Sequence, residues 1–122
     1  MKINAENMHY KDLNEAVKAS SDKEIIIENA IGHRYIGCGT SGKEIEIHGV
    51  PGNALGAYLN NSKITVYANA QDATGDTMNA GEIIIHGNCG DALGYGMRNG
   101  KIFVKGSAGY RCGIHMHAYP AL

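Results

Sequence analysis

Apolar residues occupy every second position in five short bursts along the chain: EIIIEN from Glu24, EIEIHG from Glu44, KITVYA from Lys63, EIIIHG from Glu82 and KIFVKG from Lys101. Alternation of this kind, in runs rich in branched side chains, predicts β-strands with one buried face. The bursts also keep time. In rows of nineteen residues from Glu44, the sequence aligns column by column. One apolar column reads Ile45, Ile64, Ile83, Ile102, and a second reads Ile47, Val66, Ile85, Val104. A glycine column reads Gly56, Gly75, Gly94, Gly113, and three residues beyond it stand Leu59, Met78, Met97 and Met116. The row from Glu24 fits the same scheme with one extra residue before Gly37.

Glycines interrupt the later half of the rows, so no helix of ordinary length fits there. Each row is therefore one turn of a coil made of a strand and tight corners. The predicted fold is all-β, a right-handed parallel β-helix of about five 19-residue coils over residues 24–122. At strand spacing the stack would stand ~24 Å tall. The residue opening each row reads Glu24, Glu44, Lys63, Glu82, Lys101, so the charges alternate from Glu44 onward. That is the order a solvent-facing ladder favours, since like charges on adjacent rungs repel.

Residues 1–23 stand outside the repeat. YKDLNEAVKAS, residues 10–20, places Tyr10, Leu13, Ala16 and Val17 on one face, with Asp12 near the start and Lys18 near the end. This predicts a short amphipathic helix, the candidate cap for one open end of the stack. The other end, HMHAYPAL, lacks a capping pattern, and an uncovered coil predicts end-to-end stacking of a second copy.

The repeat also decides how the glycine-rich stretches are read. GCGTSG at 37–42 and GYGMRNG at 94–100 resemble nucleotide-binding loops. Such a loop needs a helix after it, whereas here strands follow and the same glycine returns every nineteen residues. They are corners. Composition adds exclusions. Of 122 residues 17 are glycine and 43% are hydrophobic, with a net charge of −1, so no basic surface points to nucleic acid or to an anionic membrane. No apolar run is long enough to span a bilayer, and the start of the chain lacks the apolar core of a secretion signal. Three widely spaced cysteines, Cys38, Cys89 and Cys112, fit reduced thiols in a cytoplasm.

The repeat unit G-x-x-G-D/N-x-x-G, followed by M-x-x-G and a strand, resembles the C-terminal GXGXG β-helix domain of the glutamate synthase large (alpha) subunit. HGVPGNALGAYL, HGNCGDALGYGMRNGKIFVKG and RYIG at 34–37 carry the likeness. YKDLNEAV and RYIGCGTSGKEIEIHGVPGN are similar to the stand-alone "domain 3" form. One of the subunits of formylmethanofuran dehydrogenase is similar in the repeat. The resemblance implies a scaffold whose amidotransferase and FMN-binding synthase partners hold the nucleophile, the FMN and the iron–sulfur cluster, with no catalytic or cofactor-binding residue on this chain. It also implies further coils beyond the C-terminal one. The third row departs from the pattern, with Ala68 and Gln71 where other rows have glycine.

Few residues compete with that reading. His115 and His117 are the candidate metal ligands, two apart on one strand face, but a third ligand is missing. His48 and His86 share a column with Tyr67 between them, which separates them by ~10 Å. Cys112 replaces a core leucine and is read as buried filler. Asp72 and Asp91 occupy a corner where short polar side chains satisfy turn backbone. Arg98 and Arg111 sit beside glycine corners and are read as solvated or as part of a ladder, in preference to pairing with a partner's carboxylates. The expected function is a non-catalytic scaffold of a glutamate synthase-like assembly. The alternatives are a scaffold of a formylmethanofuran dehydrogenase-like complex, or a metal-binding protein using His115 and His117.

Overall fold

A computed structural model describes residues 1–107. Its strands are β1 (Lys2–Asn4), β2 (Glu24–Ile31), β3 (Ser41–Val50), β4 (Asn60–Val66), β5 (Ala80–Ile85) and β6 (Lys101–Val104), with helix α1 (Tyr10–Ala19) between the first two. The strands form one sheet in chain order, and each adjacent pair is parallel. Parallel neighbours in strict chain order, joined from β2 onward by connections that contain no helix, are what a solenoid produces. The registers reproduce the sequence columns: Ile45 pairs with Ile64, Ile64 with Ile83 and Ile83 with Ile102.

The second half of each coil contains no strand, yet its backbone is bonded from turn to turn. Gly56, Gly75 and Gly94 donate to the carbonyls of Ile36, Leu55 and Thr74 in the preceding coil, each at 2.8 Å. In the other direction, Ala54, Ala73 and Thr77 donate to Asp72, Asp91 and Tyr95 in the following coil. The corners are thus part of the ladder, and their backbone groups are paired as burial requires.

Both predicted core columns are inside. Ile45, Ile64, Ile83 and Ile102, with Ile47, Val66, Ile85 and Val104, are at most 4% exposed, and Leu59, Met78 and Met97 are fully buried beside them. From β2 to β6 the described chain makes four turns, one fewer than the five expected, and the rest of the fifth row lies beyond residue 107. Gly113, Met116, Cys112, Arg111, His115 and His117 lie outside the described residues, as does the C-terminal coil expected to stack end to end.

The N-terminal segment contributes more than a helix. β1 heads the sheet in register with β2, placing Lys2 beside Ile26 and Asn4 beside Glu28. The alternation pattern gave no sign of this strand. In α1, Leu13 and Val17 are fully buried in the same core as the coils, with Met8 and Ala16 packed against it. Ten residues are too few for a stable isolated helix, so packing holds it in place. His9 caps its start by accepting from the Lys11 amide, and Asp12 and Lys18 suit the helix dipole.

Candidate functional site

The outer surface is where this fold can act, since the interior is filled by apolar columns. At the glycine stretches the backbone is already committed. Gly39 donates to Ala57, Gly94 donates to Thr74, and the elements that follow are β3 and β6. No helix N-terminus is presented there for a phosphate.

Why glycine recurs at 56 and 75 follows from packing. Both have φ near +70° (+66° and +70°), but Ala54, Ala73 and Ala92 hold φ of 61°, 59° and 57° in the same corners. Left-handed backbone alone therefore does not demand glycine here. A Cβ on Gly56 would stand 2.6 Å from Ile83 Cδ1, and one on Gly75 would stand 2.5 Å from Ile102 Cδ1. The glycine column makes room for the isoleucine column.

Two ladders of short polar side chains run up the corners. Asn53 Oδ1 accepts from the Asp72 amide at 3.0 Å, and Asp72 Oδ1 accepts from the Asp91 amide at 2.8 Å. One corner over, Asn69 Oδ1 accepts from the Asn88 amide and Asn88 Oδ1 from the Ser107 amide, at 2.8 and 2.9 Å. Asp72 thus supports turn backbone in the way its position suggested. The second ladder, together with the backbone of the coil before, crowds the column that holds Ala68. A Cβ on Gly87 or Gly106 would collide with Asn69 Oδ1 or Asn88 Oδ1 of the coil before. The residue that would play this part beneath Ala68 is Val50, which has no such oxygen.

The histidines and cysteines divide among structural duties. The rings of His48 and His86 stack on the two faces of Tyr67, with centroids 5.2 and 5.0 Å away and ring planes within 15° of parallel. His48 Nε2 also lies 3.5 Å from Glu46 Oε2. His33 was not singled out in the sequence. It is buried, its Nδ1 accepts from the Ile31 amide at 3.1 Å, and its Nε2 lies 2.9 Å from the Met8 carbonyl. With Nδ1 accepting, Nε2 carries the proton and donates to Met8. That imidazole ties the cap to the first coil. Cys89 is buried with its Sγ directed at the Gln71 carbonyl, and Cys38 is half-buried. Arg34 lies over the Tyr10 ring at 5.4 Å, and Arg98 is exposed. Among the described residues, no three of His, Cys, Asp and Glu converge on a point that could hold a metal.

An open groove of about 880 Å³ runs along the strand starts, lined by Lys23, Lys43, Ser62, Lys63, Gly81 and Lys101 among others. The register shifts between Ser41 and Glu44 and between Asn60 and Ser62 fall at these strand starts. Lys43 crosses the upper end of the groove, and its Nζ donates to the carbonyls of Ser20 and Asp22 in the linker from the cap. No helix among the described residues is long and apolar enough to cross a membrane.

The model of the GXGXG motif family matches residues 7–122. An uncharacterized protein of Methanocaldococcus jannaschii is 44% identical over 69 residues, which cover 51% of this chain and 26% of that protein. The shared segment thus spans about a quarter of the relative's length. No solved structure matches the chain.

Proposed function

Because the chain belongs to the GXGXG motif family, that of the C-terminal domain of the glutamate synthase large subunit, we propose that it is a non-catalytic β-helix scaffold in a glutamate synthase-like assembly. On this reading the chain works in the cytoplasm, where it holds an amidotransferase and an FMN-binding synthase in fixed relation. FMN and the iron–sulfur cluster belong to those partners. One observation carries the proposal: polar side chains at the corners and beneath the cap are engaged in building the stack. Asn53, Asp72, Asn69 and Asn88 bond the next coil's backbone, His33 ties down the cap, and the glycines admit isoleucine side chains. A rigid prism with four turns bonded in register suits positioning better than turnover.

Co-purification tests the reading. Tagged chain, expressed together with the genes that neighbour its own, is expected to retain an amidotransferase and an FMN-containing synthase. Recovery of the chain without either partner under gentle conditions contradicts the proposal.

A further inference from the structure

The groove has a charged rim with a definite order. Register places Glu44 beside Lys63, Lys63 beside Glu82, and Glu82 beside Lys101. Glu44, Lys63 and Lys101 are exposed and Glu82 is half-buried. Opposite charges stand one rung apart, yet the ion pairs of the described residues join Met1 to Asp22, Lys2 to Glu28 and Glu46 to His48, and none links two rungs of this rim.

Read backwards, the four rungs from Glu44 run Lys101, Glu82, Lys63, Glu44, which is the charge complement of their forward order, while Glu24 on the rung before them lies outside the pairing. Two copies laid side by side with their coil axes antiparallel therefore oppose Glu44 with Lys101 and Lys63 with Glu82, each pair occurring twice by symmetry. A parallel, in-register contact would oppose like charges on every rung. The column just before the rim falls from Lys43 to Ser62, Gly81 and Gly100, so small side chains or none flank Lys63, Glu82 and Lys101. That leaves space for a facing copy's long side chains. We propose that this rim is an interface for a second copy of the chain, docked antiparallel about a two-fold axis. Exposed ion pairs contribute little individually, so the rim sets the orientation and salt sensitivity of a weak dimer rather than supplying a tight one.

Sedimentation velocity of the full chain at low and high salt tests this, with two double variants checked for folding by circular dichroism. E44K/E82K makes the rim entirely basic, and K63E/K101E makes it entirely acidic. The wild type is expected to self-associate at low salt and to weaken by at least about tenfold at high salt, as steered polar contacts do. Each variant alone should be monomeric, and an equimolar mixture of the two should associate again. A carbodiimide that joins carboxylates directly to amines should then yield a Glu44–Lys101 cross-link in the wild type. Within one chain those residues are three rungs, or ~14 Å, apart, so the link must be between copies. A wild type that stays monomeric at low salt overturns the proposal. So does association of folded single variants at wild-type strength, which would place the contact elsewhere, such as end to end. Failure of the mixture to associate, or a dimer lacking the Glu44–Lys101 link, overturns it as well.

Discussion

Gly75→Ala isolates the reason for the glycine column. The new methyl group would stand 2.5 Å from Ile102 Cδ1, with Ile102 Cγ1 at 3.5 Å and Ile83 Cδ1 at 3.6 Å. Ile102 is fully buried, so its Cδ1 has no solvent to retreat into. Crowding a packed core in this way costs ~1–3 kcal/mol. Holding alanine at φ +70° adds ~1 kcal/mol, since glycine alone adopts that region freely. The expected loss is therefore ~2–4 kcal/mol, read as a fall in the urea midpoint. Gly96→Ala supplies the control. Its φ is +66°, but the nearest atom to a Cβ is Thr77 Oγ1 at 3.3 Å, and its column already carries Tyr58 and Thr77 at positive φ. It should lose no more than ~1 kcal/mol. The double variant G75A/I102V sharpens the test, because valine lacks the colliding Cδ1. Ile102→Val alone should cost ~0.5–1.5 kcal/mol, but in the presence of G75A it should cost less or even restore stability. Simple additivity of the two losses, or equal losses for G75A and G96A, would refute the packing explanation.

Other consequences can be checked in the same material. Asn69→Ala removes the acceptor for the Asn88 amide and should cost ~1 kcal/mol, and Gly87→Ala should remain costly even in that background, because its Cβ would also stand 2.7 Å from the Ala68 carbonyl oxygen. His33→Ala leaves the Ile31 amide and the Met8 carbonyl without their partner. It should destabilise by ~1–3 kcal/mol and raise the amide exchange of α1 above that of β4. Tyr67→Ala separates the His48 and His86 rings from their shared neighbour, and their imidazole proton resonances should move together as the ring current is lost. Titration of FMN into the isolated chain should show no saturable binding at Gly37–Gly42 or Gly94–Gly100, because those corners are bonded to adjacent coils.

The parts of the fold that repeat were legible in the sequence. A period of nineteen puts Ile45, Ile64, Ile83 and Ile102 in one column and requires parallel neighbours, so register followed from counting. The helix was legible because Leu13 and Val17 share a face. What does not repeat was hidden. β1 has three residues, KIN, too few to display alternation, and only pairing with Ile26–Glu28 makes it a strand. The sequence shows that the first row has an extra residue before Gly37 but not where it sits. The structure places it in a bulge between Ile27 and Ala30, where Asn29 takes φ 60°. His33 gave no signal because its partners are backbone groups, one of them 25 residues away. A glycine at a corner can serve either positive φ or close approach. Only coordinates separate the two, by showing alanine at 54, 73 and 92 in the left-handed region and isoleucine against 56 and 75.

The scaffold reading is tested most directly by partitioning one activity. Glutamine-dependent glutamate formation should be measured with the proposed partners, an amidotransferase and an FMN-binding synthase, with and without this chain, alongside glutamine hydrolysis by the chain alone. The account predicts that coupled synthesis requires the chain, while the chain alone neither hydrolyses glutamine nor retains FMN. Glutamine turnover by the purified chain, or coupled synthesis that proceeds equally well in its absence, would contradict it.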